Sequence, residues 1–120
     1  MSQKISPQLQ QHLKQLDDLQ NTHAMVVAQR QNVETQLLEV RSAISELEKS
    51  TDDVEVYKLA GTVLVKTGRQ KIQEELEENK TLLEARLRTL EKQDKRLQEE
   101  IGTLTGTVSQ MLRREQQRAS

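Results

Sequence analysis

The chain has 120 residues, and its 18 basic and 19 acidic residues give a net charge of −1, so nothing draws the whole chain to nucleic acid or to a membrane surface. Hydrophobic residues make up 33% and aromatic residues 1% of the chain, which is too little for an ordinary compact domain and favours an elongated helical protein. Cysteine is absent, which excludes a disulfide framework and thiol chemistry.

The first predicted element is a helix over residues 7–49. Ser6 suits its N-cap because the hydroxyl accepts from a free amide, and Pro7 suits the first turn because it has no amide to satisfy. Two positions recur every seven residues, and nine of these twelve residues are apolar, which is typical of a coiled coil. These seam positions are Leu9, His12, Leu16, Leu19, His23, Val26, Arg30, Val33, Leu37, Val40, Ile44 and Leu47.

A short apolar segment then interrupts the helical pattern, and we predict a β-hairpin over about residues 54–66 with its turn near Ala60-Gly61-Thr62. An isolated hairpin is marginal in water, and its open edges recruit further strands. We therefore expect several copies to pair into an oligomeric β-barrel, unless the strands fold onto their own helices. The residues expected to form this assembly are Val54, Val56, Tyr57, Leu59, Val63, Leu64 and Val65.

The second predicted helix covers about residues 68–113, and residues 114–120 are expected to form a disordered or frayed tail. Thr67 and Gln70 have capping-box spacing at its start. Gly102 and Gly106 each cost about 1 kcal/mol relative to Ala, so we expect the last turns to be soft. The seam positions of this helix are Leu76, Lys80, Leu83, Leu87, Leu90, Asp94, Leu97, Ile101, Leu104, Val108 and Met111.

The two seams match in antiparallel register, because Leu9 meets Met111 and Ile44 meets Leu76, and each pair of numbers sums to 120. We therefore predict a mainly α fold over residues 1–120. It is a long antiparallel α-helical coiled-coil hairpin with a short central β-hairpin, in one domain. Asp94 then lies near Arg30 and His23. An Arg30–Asp94 bridge is one hypothesis, and long side chains that reach water instead are the alternative.

In this fold both chain ends lie at one tip of the coiled coil, about 60 Å from the strands. The apolar residues expected there, as candidates to bind a client, are Ile5, Leu9, Leu13, Val108, Met111 and Leu112. We expect Ile5, Leu13 and Leu112 to be exposed, whereas the other three could equally close the seam. Five cations and one carboxylate, Glu115, are expected at this tip. This excess of positive charge indicates either attraction of acidic partners or a solvated end. These cations are Lys4, Lys14, Arg113, Arg114 and Arg118.

Catalytic and metal-binding patterns are not indicated. His12 and His23 are 11 residues apart, about 16 Å along a helix, which is too far for one metal. We expect no enzyme activity, no cofactor and no metal. Because no apolar run approaches a membrane span and the N-terminus lacks a signal-peptide core, we expect a cytoplasmic protein.

The hairpin sequence resembles the β-type prefoldin subunits, most of all the archaeal ones. The resemblance rests on Val56-Tyr57-Lys58-x-x-Gly61-x-x-Leu64-Val65-Lys66 between two heptad helices of equal length, on Pro7-Gln8, and on Arg-Leu-x-x-Leu-x-x-Gln at residues 86–93. The stretch around Gly102 and Gly106 departs from the family pattern, which is often more charged there.

This resemblance implies a heterohexamer of two prefoldin α-type and four β-type subunits, joined through their strand hairpins. It also implies an ATP-independent holdase that captures unfolded or nascent proteins at the coiled-coil tips and delivers them to a group II chaperonin. Two other classes of function remain. One is an adaptor that binds a single folded partner. The other is a nucleic-acid-binding coiled coil, which the near-neutral charge and the lack of stacking aromatic residues disfavour.

Overall fold

Two long helices and a two-stranded antiparallel sheet form the structure, a computed structural model that describes residues 5–119. Helix α1 comprises Pro7–Lys49, strand β1 Val56–Ala60, strand β2 Val63–Thr67 and helix α2 Arg69–Ala119. The predicted mainly α fold with a central β-hairpin is confirmed, and its assembly into a barrel stays a prediction. Within residues 5–119, no helix is both long and apolar enough to cross a membrane.

Contacts within the chain define two compact units. The terminal unit comprises Met1–Gln29 and Leu90–Ser120, and the central unit comprises Arg30–Thr89. Each unit contains part of α1 and part of α2, and the central unit also holds the hairpin. The prediction of one domain over residues 1–120 stays a prediction.

Helix α1 begins as its sequence predicts. The Ser6 hydroxyl oxygen accepts the Leu9 amide at 3.1 Å, and the Ser6 carbonyl accepts the Gln10 amide at 3.0 Å. Ser6 is therefore the N-cap, and Pro7 occupies the first turn, where a missing amide costs nothing. The Ser6 amide in turn donates to Glu115 Oε1 at 3.2 Å, which ties the start of α1 to α2 inside the terminal unit.

The predicted heptad positions form the seam between the helices. Every one of them is buried or half-buried. The most deeply buried are Leu9, Val26, Val33, Leu37, Val40, Ile44, Leu83, Leu90, Asp94 and Val108. The contacts Ser6–Glu115 and His23–Asp94 show the antiparallel direction in the terminal unit, because residue numbers rise on α1 as they fall on α2.

The end of α1 is capped by a side chain from the start of α2. The Arg69 guanidinium donates to the Ser50 hydroxyl at 2.8 Å and to the carbonyl oxygens of Leu47, Ser50 and Thr51. The last turn of a helix leaves such carbonyls without partners in the helix itself. A cation at that end also suits the helix dipole. Sequence patterns did not predict this cap, because Arg69 lies 19 residues after Ser50.

Strand β1 begins slightly later than the predicted start of the hairpin, about residue 54. The Val54 amide donates to the Thr51 carbonyl at 3.2 Å, which closes a turn, and β1 begins two residues later at Val56. The hairpin turn is as predicted, since Gly61 and Thr62 alone connect the strands. Gly61 has a φ of 64°, and Thr62 has no positive φ, which is the pattern of a type II′ turn with glycine first.

The predicted N-cap and the predicted end of the second helix need correction. Thr67 pairs with Val56 as the last residue of β2, so it does not cap the helix. The Gly68 carbonyl instead accepts the first helical bond, from the Ile72 amide at 3.0 Å. The predicted disordered or frayed tail over 114–120 is wrong for residues 114–119, because α2 continues to Ala119. Arg, Glu and Gln fill this stretch and are all good helix formers. Residue 120 lies outside the described residues.

Candidate functional site: two exposed apolar surfaces

Apolar side chains cover both faces of the hairpin. The register pairs Leu59 with Leu64 on one face, and Tyr57 lies on that same face. Val63 and Val65 lie on the other face, opposite Ala60 and Lys58.

Most of these hairpin side chains are exposed. Leu59 and Leu64 are each 66% exposed, Val63 is 59% exposed and Tyr57 is 50% exposed. Val54 and Val65 are also exposed, and Val56 is half-buried. The strands therefore do not bury these side chains on their own helices. Of the seven residues that the sequence assigned to assembly, six are exposed and Val56 is half-buried.

Exposed polar contacts position the hairpin. Lys58 Nζ lies 2.9 Å from Glu75 Oε2 on α2, and this hydrogen bond lowers the pKa of Glu75. The Tyr57 hydroxyl donates to Glu55 Oε2 at 2.8 Å, which raises the pKa of Tyr57. Exposed ion pairs contribute little to stability. The hairpin is thus held weakly against α2 and is open to further contacts.

An open cleft of about 490 Å³ lies between the hairpin and the helix ends of the central unit. Leu47 of α1, Val56 of β1 and both Ile72 and Leu76 of α2 line it, and all four are half-buried. The cleft extends the apolar surface of the hairpin onto the helices.

The second apolar surface lies in the terminal unit. Ile5 is 42% exposed, Leu112 41% and Leu13 36%. Leu9, which is fully buried, and Val108, which is 6% exposed, instead close the seam, and Met111 is half-buried. The six residues predicted for the tip thus divide into three on the surface and three in the seam.

Leu13 and Leu112 lie on the same side of the seam. Each follows a seam residue by one position, His12 on α1 and Met111 on α2. Leu13 and Leu112 therefore occupy the same heptad position, e, and in an antiparallel pair of helices the two e positions flank the seam on the same side. The two leucines therefore contribute to one side of the terminal unit.

Four exposed cations accompany these apolar residues. Lys14 follows Leu13, and Arg113 and Arg114 follow Leu112 directly, with Arg118 one turn later. We call the whole set the terminal surface. It consists of Ile5, Leu13, Lys14, Leu112, Arg113, Arg114 and Arg118. Lys4, which the sequence also assigned to this region, lies outside the described residues.

Among residues 5–118, three other large apolar side chains are exposed and were not predicted. Met25 is 65% exposed, Leu38 68% and Leu82 70%. Each occupies an outer heptad position, away from the seam. Single exposed apolar side chains are common on soluble proteins, so they do not by themselves indicate a site. They are well suited as controls for the terminal surface.

The seam also contains one buried carboxylate. Asp94 is 4% exposed, and its Oδ1 lies 2.6 Å from His23 Nε2 and 2.7 Å from Gln98 Nε2. Arg30 Nε donates to Glu34 Oε1 at 3.0 Å. The Arg30–Asp94 bridge stays a prediction.

Comparison with known proteins agrees with this arrangement. The model of a family described as prefoldin subunit matches residues 10–115. The chain is 42% identical to the prefoldin subunit beta of Thermococcus kodakarensis, over 92% of this chain and 95% of that protein. It is 40% identical to the prefoldin subunit beta of Pyrococcus furiosus, with the same coverage. For the subunit of Sulfolobus acidocaldarius the identity is 34%, over 93% of this chain and 90% of that protein.

A solved structure agrees as well. The crystal structure of the prefoldin beta subunit from Thermococcus strain KS-1 matches with a TM-score of 0.83 and 42% identity, over 93% of this chain and 98% of that chain. The match therefore includes nearly all of both helices and the hairpin between them. On the family match, the identities and the shared fold, this chain belongs to the prefoldin family as a β-type chaperone subunit.

Proposed function

We propose that the chain is a subunit of an ATP-independent holdase that captures unfolded or nascent proteins on its terminal surface and delivers them to a group II chaperonin in the cytoplasm. The observation that carries this proposal is the exposure of Ile5, Leu13 and Leu112 beside Leu9 and Val108, which close the seam. Three apolar side chains that are each partly exposed are suited to bind the apolar segments that unfolded proteins expose.

The hairpin supports the assembly part of this proposal. Its apolar faces are exposed, and each strand has one edge without a hydrogen-bonded neighbour in the sheet. Such edges pair readily with strands of other chains. In the assembly we propose, two prefoldin α-type and four β-type subunits bury these hairpins against one another. The relatives are themselves named as subunits.

Weak binding at each terminal surface would suffice for capture. Full burial of one Leu or Ile side chain contributes about 1.5 to 3 kcal/mol, and these three residues are already partly buried. Several copies in one assembly would strengthen the binding through multivalency. Burial of apolar surface needs no nucleotide, which fits a holdase without ATP.

Suppression of aggregation tests this proposal. We would dilute a chemically unfolded protein into the assembled chaperone and follow light scattering, with wild type and with the double variant Leu13→Ser/Leu112→Ser. We expect the double variant to lose most of the suppression. The matched control is Leu38→Ser/Leu82→Ser, which removes two more exposed leucines from the central unit. Equal suppression by wild type and the terminal double variant would refute capture on the terminal surface.

A further inference from the structure

The terminal surface carries more positive charge than negative charge. Four cations belong to it, and Glu115 is the one carboxylate among the described residues 5–16 and 104–119. Glu115 is half-buried, and its Oε1 accepts the Ser6 amide at the start of α1. A helix N-terminus carries a partial positive charge, so the negative charge of Glu115 is balanced within the unit.

The four cations are directed to solvent. Lys14, Arg113, Arg114 and Arg118 are all exposed, and none of them forms an ion pair with a described residue. The nearest further carboxylates in sequence are Asp17 and Asp18, about one turn beyond Lys14 on α1. The excess of positive charge is therefore concentrated around Leu112, whereas Lys14 beside Leu13 lies about one turn from Asp17 and Asp18.

We infer that the terminal surface selects client segments in which acidic residues alternate with apolar ones. An apolar segment that carries Asp or Glu can bury its apolar side chains on Leu13 and Leu112 while its carboxylates approach the flanking cations. A segment of equal hydrophobicity that carries Lys or Arg brings like charges together, which costs affinity and slows the encounter. This inference rests on the proposed capture of unfolded proteins and adds the chemical class of the preferred client.

Labelled peptides test the inference on the full chain in its assembly. Three fluorescent peptides would share their length and apolar residues and would differ only in whether the intervening residues are Glu, Ser or Lys. We expect the Glu peptide to bind about tenfold more tightly than the Lys peptide at low salt, and the difference to fall below about twofold near 0.5 M NaCl. Equal dissociation constants for the Glu and Lys peptides at low salt would overturn the inference.

Substitutions test whether the cations of the terminal surface cause the preference for the Glu peptide. We expect Arg113→Gln/Arg114→Gln to remove most of the preference and Arg113→Glu/Arg114→Glu to favour the Lys peptide. The control Arg86→Glu/Arg88→Glu changes two exposed residues of α2 in the central unit and should keep the wild-type preference. A preference unchanged by the substitutions at 113 and 114, or lost in the control, would overturn the assignment to this surface.

The same peptides distinguish failure of the charge preference from failure of the proposed capture function. If the Glu, Ser and Lys peptides all bind with one affinity that Leu13→Ser/Leu112→Ser abolishes, the inference fails and the proposed capture function stands. If no peptide binds, both fail. A single-stranded oligonucleotide that binds more tightly than the Glu peptide would overturn the inference in favour of a nucleic-acid partner.

Discussion

His23 Nε2 lies 2.6 Å from Asp94 Oδ1, and this contact joins α1 to α2 across the seam of the terminal unit. The Asp94 side chain is almost fully enclosed, whereas the His23 side chain is about a quarter exposed. A buried carboxylate needs its hydrogen-bond partners, because desolvation without them is costly. The pair thus favours one register of the two helices, since a slip along the seam would separate the two side chains.

The first prediction concerns this pair. His23→Leu leaves Asp94 with one fewer donor and should lower the free energy of unfolding by about 2 kcal/mol. The double variant His23→Leu/Asp94→Leu removes the buried charge as well and should regain at least the wild-type stability. Denaturant unfolding followed by circular dichroism measures both. A double variant less stable than His23→Leu would show that the pair stabilises the seam outright.

The second prediction concerns Gly102 and Gly106 in α2. An added Cβ at either residue meets no atom within 4 Å, so alanine fits both positions. Each Gly→Ala substitution should stabilise the helix by about 1 kcal/mol. Hydrogen exchange of the surrounding amides should slow accordingly. The same change at Gly61, whose φ is 64°, should instead destabilise the hairpin, because an L-residue is strained there. If hydrogen exchange of these amides is unchanged in Gly102→Ala/Gly106→Ala, the two glycines do not destabilise this part of α2.

The third prediction concerns the cap that Arg69 provides. Arg69→Ala leaves the carbonyls at the end of α1 without these donors and should destabilise the central unit by about 1 to 2 kcal/mol. Arg69→Lys should recover only part of this, because an ammonium cannot present the planar fork of a guanidinium. Thermal unfolding measures the loss. Lys71→Ala is the control, since Lys71 is exposed on the same helix. Equal losses of thermal stability in Arg69→Ala and Lys71→Ala would argue against the cap.

The fourth prediction concerns assembly through the hairpin. Leu59→Lys/Leu64→Lys places two charges on one exposed face of the hairpin, so the chain should keep its helical content. The assembled mass should fall, because burial of these charges in an interface is costly. Light scattering coupled to size exclusion measures the mass. Leu38→Lys/Leu82→Lys is the matched control. A full-sized assembly from the hairpin variant would show that other surfaces join the subunits.

Sequence periodicity predicted the seam and helix α1 with its N-cap, because each depends on local spacing or on one capping side chain. It did not predict features that depend on contacts between residues far apart in the sequence. Thr67 could have capped α2, but its pairing with Val56 extends β2, and the Arg69 cap joins residues far apart in sequence. Helix α2 continues beyond its predicted end, because the Arg, Glu and Gln residues that follow residue 113 favour helix.

Exposure within the terminal unit was only partly predictable. Leu13 and Leu112 lie beside the seam positions, so their exposure follows from the heptad pattern. Val108 and Met111 occupy seam positions, and the sequence alone left open whether they close the seam or face a client. The structure places Val108 in the seam and leaves Met111 half-buried. The Glu115 contact with Ser6 depends on the register at the chain ends and carries no sequence signature.

Client contact on the terminal surface can be measured directly by site-specific photocrosslinking in the assembled chaperone. A photoreactive amino acid would replace Leu13, Leu112, Leu82 or Leu38 in turn, all of which are exposed. An unfolded client should crosslink at positions 13 and 112, with little product at positions 82 and 38. Crosslinking that is as strong at 82 and 38 as at 13 and 112 would contradict capture on the terminal surface.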